Sequence, residues 1–209
     1  MVSSAQLLAF TLAAVLITAT PGPDNLLVLG IGMSRGRRQG IAFGLGCAFG
    51  CLSHTLLAVI GVSALVVASP VAFTALKWLG GGYLIWLGAQ ALRHASQSTG
   101  VASSDTQPTS LRRLFLKGVF ANAVNPKVVL FFLSFLPQFV VPSQGSIGMQ
   151  LGILGVLFTL QAALLFGLLG YFAGTVGAWL SRHPGAGAWL DRVAGTVFMG
   201  LGVRLVAGR

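Results

Sequence analysis

The stretch Pro21-Gly22-Pro23-Asp24-Asn25 interrupts an apolar run that extends over about residues 5–32. A second interruption, Asn125-Pro126-Lys127, lies inside the apolar run at about 113–137. Each combines a helix-breaking proline with an ionisable side chain. Irregular backbone at membrane depth is tolerated only where it is buried in protein or lines a cavity, and a charge there is costly. Two such breaks at corresponding places in two halves of a chain indicate the binding site of a transporter.

The composition indicates an integral membrane protein. Of its 209 residues, 55% are hydrophobic and 8% are charged, whereas a soluble domain carries about 25% charged residues. Apolar stretches of roughly 20 residues are long enough to cross a bilayer. No basic residue precedes the first stretch, which is too long for a signal-peptide core and is expected to stay in the protein. The pattern predicts an all-α polytopic membrane protein with six transmembrane helices, at about 5–32 (broken), 40–68, 71–92, 113–137 (broken), 147–179 and 186–207.

The net charge of +10 follows a membrane topology. Basic residues are concentrated beside the loops after spans one, three and five, and this bias places both termini outside and the polar connector 94–111 in the cytoplasm. Anionic lipid headgroups are therefore expected partners, and nucleic acid is not. The nine residues on the inner side are Arg35, Arg37, Arg38, Arg93, Arg112, Arg113, Lys117, Arg182 and Arg192, against Lys77, Arg204 and Arg209 outside.

Two halves of the chain show weak internal similarity. Residues 76–82 align with 190–196, and the alignment continues without gaps to Leu87-Gly88 against Leu201-Gly202. The two breaks also fall at matching places, in spans one and four. The sequence is therefore interpreted as a tandem repeat of three spans.

Because three is odd, the second copy of such a repeat inserts upside down, which predicts inverted repeats 1–93 and 112–209 joined by the connector 94–111. Glycines at small-residue spacing are expected to let the helices approach closely. They are Gly40, Gly44, Gly46 and Gly50 in span two and Gly80, Gly81, Gly82 and Gly88 in span three.

The second break is expected to start a new half-helix. Asn125 suits the N-cap and Pro126 suits the first helical position. The first amides of that half-helix lack partners and carry the positive end of its dipole, which favours an anion such as a carboxylate. Lys127 beside this end is unfavourable in isolation, so an anionic partner is expected, either Asp24 or a substrate.

The first break leaves three interpretations open for its carboxylate. Pro21 and Pro23 remove two backbone donors, and Gly22 frees the local dihedral angles. Asp24 would serve as the N-cap of a half-helix, or face a cavity where it binds a substrate ammonium or carries a proton. A purely structural ion pair between Asp24 and Lys127 is the third.

Together the breaks suit a zwitterion. Lys127 and the half-helix N-termini would receive a carboxylate, while Asp24 and the side-chain amides would receive an ammonium. Asp24 is also the candidate for proton coupling, and no cofactor is expected. The expected substrate-binding residues are Asp24, Asn25, Asn122, Asn125 and Lys127, and the helix-break residues are Pro21, Gly22, Pro23 and Pro126.

In these residues the chain resembles the LysE/RhtB family of bacterial amino-acid exporters, almost from end to end. The resemblance implies a secondary active exporter of amino acids or close derivatives from the cytoplasm, driven by the proton gradient. It does not select among lysine and arginine, threonine and homoserine, branched-chain residues and cysteine-related metabolites. The motifs that carry it are Thr20-Pro21-Gly22-Pro23-Asp24-Asn25, Lys77-Trp78-Leu79-Gly80-Gly81-Gly82-Tyr83-Leu84, Asn122, Asn125-Pro126-Lys127 and Leu136-Pro137-Gln138-Phe139.

Other functions remain as alternatives. Cys47, Cys51 and His54 fall at i, i+4 and i+7 of span two, and thiolates with an imidazole would suit zinc or copper in a metal-ion exporter. Alternatively, the thiols are free and pack as small groups, and His54 bonds between helices. An exporter of another small metabolite or a passive channel would also use two breaks. An enzyme is not expected, because the sequence contains neither a Gly-x-Ser-Gly turn nor a phosphate-binding loop. The oligomeric state is left open, a homo-oligomer included.

Overall fold

Both interruptions divide helices in the computed structural model, which describes residues 2–93 and 110–207. Within these ranges every regular element is helical. In chain order the α-helices are α1 (Ser4–Ala19), α2 (Pro23–Arg35), α3 (Arg37–Leu57), α4 (Ser63–Ala68), α5 (Pro70–Arg93), α6 (Leu111–Ala123), α7 (Pro126–Leu130), α8 (Ile147–Tyr171), α9 (Ala173–Arg182) and α10 (Pro184–Ala207). Residues 94–109, most of the predicted connector, lie outside the described residues.

Two helices, α3 and α7, continue into turns of different pitch. A wider π-type stretch, Ala58–Val62, joins α3 to α4. A second one, Phe131–Phe135, extends α7 and passes into a 3₁₀ turn at Leu136–Phe139. Another 3₁₀ turn, Pro142–Gln144, precedes α8.

The breaks bend the chain sharply at the predicted positions. The axes of α1 and α2 differ by 56°, and those of α6 and the helical stretch Pro126–Phe139 differ by 52°. In the described ranges, two helices, Arg37–Leu65 and Ile147–Tyr171, are long and apolar enough to cross a membrane, or four if each bent pair counts as one span. That count does not include α5 and α10, which form at the places predicted for spans three and six.

The prediction of one continuous span over 147–179 is wrong. Helix α8 ends at Tyr171, where Phe172 leaves the helical region with φ −91° and ψ 7°, and α9 follows as a separate helix. The 25 residues of α8 already extend about 37 Å, which exceeds the roughly 30 Å hydrocarbon core. The apolar sequence continues past the helix end because α9 packs on α2, where Ala173 lies against Gly32.

Helix α3 runs antiparallel to α8 along a seam of small residues. Gly40, near the start of α3, meets Gly170 near the end of α8, and Thr55, near the end of α3, packs on Gly155. A Cβ at Gly40 would lie only 3.1 Å from the Gly170 carbonyl oxygen. This close approach confirms the expected role of the glycines at this seam.

Helices α5 and α10 form a second antiparallel pair. Gly81 meets Gly202, and Gly88 meets Gly195, with each virtual Cβ about 3 Å or less from a facing carbonyl oxygen. Among the described residues, no atom lies within 4 Å of the virtual Cβ of Gly82, so close packing there does not explain that position.

The parallel contact of α3 with α6 provides a test of the packing. A Cβ at Gly46 would overlap the Phe115 carbonyl oxygen. We expect Gly46→Ala to destabilise the protein by about 1–3 kcal/mol, because backbone cannot move aside as a flexible side chain can. Gly167→Ala in α8 is the control, since no atom of the part of the chain that the structure describes lies within 4 Å of its virtual Cβ. Thermal unfolding in detergent should show a lower midpoint for Gly46→Ala only, and equal midpoints would contradict this account.

Candidate functional site

The two breaks face each other across one small, buried cavity. Polar residues from both breaks line it, namely Asp24, Asn25, Asn122, Asn125 and Lys127. The structure therefore brings together all five residues expected from the sequence to bind substrate. The cavity measures about 20 Å³, which is room for about one water molecule.

Asp24 occupies the second helical position of α2, and its expected role as N-cap is wrong. Gly22 is the N-cap, because Pro23 takes the first helical position that proline prefers. The Asp24 side chain is 3% exposed, and its Oδ2 accepts a 2.7 Å hydrogen bond from Asn122 Nδ2. Its Oδ1 is buried and has no hydrogen-bond partner in the described part of the chain. Asp24 thus keeps one acceptor oxygen available.

Asn122 is held on several sides and presents its amide to Asp24. Its Oδ1 accepts from Cys51 Sγ at 3.5 Å, and its main-chain carbonyl lies 3.0 Å from His54 Nε2. Because a carbonyl only accepts, His54 Nε2 carries a hydrogen. The main-chain N–H of Asn125 donates a 2.9 Å hydrogen bond to the same Asn122 carbonyl. These contacts from α3 and the break leave the Asn122 amide nitrogen to donate to the carboxylate.

The residues of the metal-binding alternative are engaged differently. Cys47 and Cys51 are buried free thiols, and His54 makes the interhelical hydrogen bond that was the other interpretation. Among residues 2–93 and 110–207, no group of three His, Cys, Asp or Glu side chains is placed to hold a metal ion.

The second break has the predicted local structure. Asn125 is the N-cap, its Oδ1 accepts from the Lys127 amide at 3.1 Å, and Pro126 takes the first helical position. The Lys127 side chain is 7% exposed and crosses the cavity to the first break, where Nζ donates to the Thr20 carbonyl at 2.7 Å. The same nitrogen lies over the Phe198 ring, 5.2 Å from the ring centroid.

Lys127 and Asp24 make no direct ion pair within the described residues, contrary to the structural-pair interpretation. The expected anionic partner of Lys127 is replaced by a carbonyl at the C-terminus of α1, which the break leaves without an intrahelical donor. This is the negative end of the α1 dipole, and the ring of Phe198 adds a cation–π contact. Both ionisable side chains are therefore buried beside one cavity, each with hydrogen-bond partners of its own.

Asn25 also donates a hydrogen bond to a main-chain carbonyl near the end of α1, at the first break. Its Nδ2 donates to the Thr18 carbonyl at 2.9 Å, and the Thr18 hydroxyl accepts from Gln161 Nε2 of α8 at 2.9 Å. No site role was predicted from the sequence for Thr18, Thr20 or Phe198. The available signal for the first two was that a helix stopped by proline leaves its last carbonyls in need of donors. The contact of Phe198 is tertiary and has no local sequence signal.

Apolar side chains form most of the rest of the cavity wall. Ile17, Val128, Phe131, Phe158 and Phe166 contribute to it. The rings of Phe131 and Phe158 are in contact, with centroids 5.3 Å apart. The arrangement thus offers a carboxylate oxygen, an ammonium and an apolar surface in one enclosed space, a set that suits a zwitterion with an attached side chain.

Comparisons with known proteins place the chain among transporters. The sequence model of the LysE type translocator family matches residues 15–209. An uncharacterised membrane protein of Vibrio cholerae is 32% identical over 203 residues, 97% of each chain. The homoserine/homoserine lactone efflux protein of Salmonella typhimurium is 31% identical over 96% of each chain. The leucine efflux protein of Salmonella choleraesuis is 30% identical over 94% of this chain and 92% of its own.

No solved structure matches the chain significantly. The family assignment therefore depends on sequence, and the similarity includes both helix breaks and the helices that surround the cavity. On the strength of a match over nearly its whole length, the chain belongs to the LysE type translocator family.

Proposed function

We propose that this protein exports an amino acid or a close derivative from the bacterial cytoplasm and binds it at the two helix breaks. The observation that carries the proposal is that the ionisable side chains of Asp24 and Lys127 are both buried beside one cavity and are held by separate hydrogen bonds. Intramembrane charges mark substrate and ion pathways. Relatives named as homoserine/homoserine lactone and leucine efflux proteins support the assignment.

In this proposal each charge receives the opposite end of the substrate. The substrate ammonium binds Asp24 Oδ1, the oxygen without a partner in the described structure. The substrate carboxylate binds Lys127. The ammonium of this lysine has three N–H donors, of which one is bonded to the Thr20 carbonyl. The side chains of Asn25, Asn122 and Asn125 fix the conformation of the two breaks on either side of the substrate.

Proton coupling follows from the same oxygen. A proton on Asp24 would sit on Oδ1, since Oδ2 already accepts from Asn122. A proton and a substrate ammonium cannot both occupy that oxygen, so each displaces the other. This exclusion is what an antiporter needs, with substrate carried outward and protons carried inward.

Alternating access is the proposed mechanism, because the cavity of about 20 Å³ is too small for an amino acid and must open to admit one. The antiparallel pairs α3–α8 and α5–α10 support an inverted repeat whose halves rock around the breaks. The positive-inside bias supports an inner-membrane location with both termini outside and anionic lipids at the basic loops.

Asp24→Asn tests the proton coupling. This change keeps the shape of the side chain but removes its charge and proton, so we expect efflux driven by the proton gradient to be lost while the folded protein remains. The measurement is efflux of a labelled amino-acid panel from preloaded cells, with and without a protonophore. Asp191→Asn in α10, outside the cavity lining, is the matched control.

Full gradient-driven efflux by Asp24→Asn would contradict this role for the carboxylate. Efflux by the wild type that ignores the protonophore would favour a passive channel. If no amino acid leaves cells that contain folded protein, the exporter assignment itself is wrong.

Lys127→Met tests recognition of the carboxylate. Loss of a charge-assisted hydrogen bond costs about 1.5–3 kcal/mol, so we expect the half-saturation concentration of the amino acid to rise about 10- to 150-fold. Inhibition by the matching amine, which lacks the carboxylate, should weaken much less, because the amine loses only the support that the Lys127–Thr20 hydrogen bond gives to the two breaks. The exposed Lys117→Met in α6 is the control. An equal loss of affinity for amino acid and amine would indicate a structural role for Lys127.

A further inference from the structure

An amino-acid substrate uses both charged groups of the proposed site, because its α-ammonium binds Asp24 and its α-carboxylate binds Lys127. Asp24 is the acidic residue in the cavity lining and Lys127 is the basic one. The whole chain has only three acidic residues. Asp105 lies outside the described residues, and Asp191 lies in α10 about two helical turns, or roughly 10 Å, before Phe198. In the described structure, neither a cationic nor an anionic substrate side chain would find a second partner beside the cavity.

A charged substrate side chain would therefore be buried without compensation. An unpaired charge in an apolar environment costs several kcal/mol even after relaxation. Contact of a cation with an aromatic ring offers about 2 kcal/mol when desolvated, which does not offset that cost. Because the cavity lining has one acidic and one basic side chain, both of which bind the α-groups of the substrate, the site disfavours basic and acidic amino acids.

The wall also selects against a polar side chain. Phe131, Phe158 and Val128 present apolar atoms, and the polar side chains of Cys51 and Thr18 in the same wall are partly engaged. The Cys51 thiol donates to Asn122, and the Thr18 hydroxyl accepts from Gln161. A substrate hydroxyl would exchange its hydrogen bonds to water for apolar contacts, at about 1–3 kcal/mol.

We propose that the substrate is an amino acid with an uncharged, apolar side chain, which packs against Phe131, Phe158 and Val128. This inference depends on the proposed function and adds the substrate class to it. The side chain lies on the apolar wall while the ammonium and carboxylate bind Asp24 and Lys127.

The test uses inside-out membrane vesicles, in which export becomes uptake. Labelled leucine, homoserine, lysine and glutamate are each offered to vesicles that contain the full chain. We expect uptake efficiency for leucine to exceed that of the other three at least tenfold. Preferred uptake of homoserine, lysine or glutamate would overturn the substrate class and leave the exporter assignment intact. Absence of uptake for all four and for a wider amino-acid panel would overturn both.

Val128→Thr tests whether the wall contacts the side chain. Threonine keeps the shape of valine and replaces one methyl group with a hydroxyl at a cavity-lining position. Because this hydroxyl can hydrogen-bond the homoserine hydroxyl, the ratio of homoserine to leucine uptake should rise several-fold. Val156→Thr, on the exposed face of α8, should leave the ratio at the wild-type value. The ratio does not depend on how much protein folds. An unchanged ratio for Val128→Thr in vesicles that still transport would overturn the placement of the substrate side chain.

Discussion

The hydrogen bond from Lys127 Nζ to the Thr20 carbonyl joins the two helix breaks, and the arrangement of the site depends on it. At a break the chain gives up helical hydrogen bonds in a place where water is scarce, so the freed carbonyls require other donors. Lys127 and Asn25 meet this need at the end of α1. Because Lys127 comes from the second break, satisfying the first break also draws the two halves of the chain together. The cavity is the space left between them.

The same bond explains why the carboxylate of Asp24 remains available. Lys127 Nζ is directed to a carbonyl oxygen and an aromatic ring rather than to the carboxylate, and Asp24 is held through one oxygen by Asn122. Asn122 is in turn fixed by His54 and Cys51 of α3, which packs closely on α6 through Gly46. The glycine seams and the polar contacts therefore act together, since close backbone approach brings the short Asn122 side chain to its partners.

Local chemistry made much of this predictable. Proline, glycine and asparagine act over a few residues, so both breaks and the N-cap of Asn125 could be placed from the sequence. Of the interpretations of Asp24, the N-cap one is wrong, because Pro23 at the first helical position moves the cap back to Gly22. The partner of Lys127 and the division of α8 from α9 depend on contacts between distant segments, Phe198 with Lys127 and Gly32 with Ala173. Apolar composition is uniform across these places and gives no local signal.

The central claim is that substrate lies between the breaks with its ammonium on Asp24. The direct measurement is a solid-state NMR dipolar distance between the ¹⁵N of bound leucine and the ¹³Cγ of aspartate in the membrane-reconstituted protein. With three acidic residues in the chain, the Asp24 signal is assigned by its loss in Asp24→Asn. The account predicts a distance of about 4 Å, as an ammonium–carboxylate hydrogen bond requires. Bound leucine with no dipolar coupling to Asp24 would contradict it.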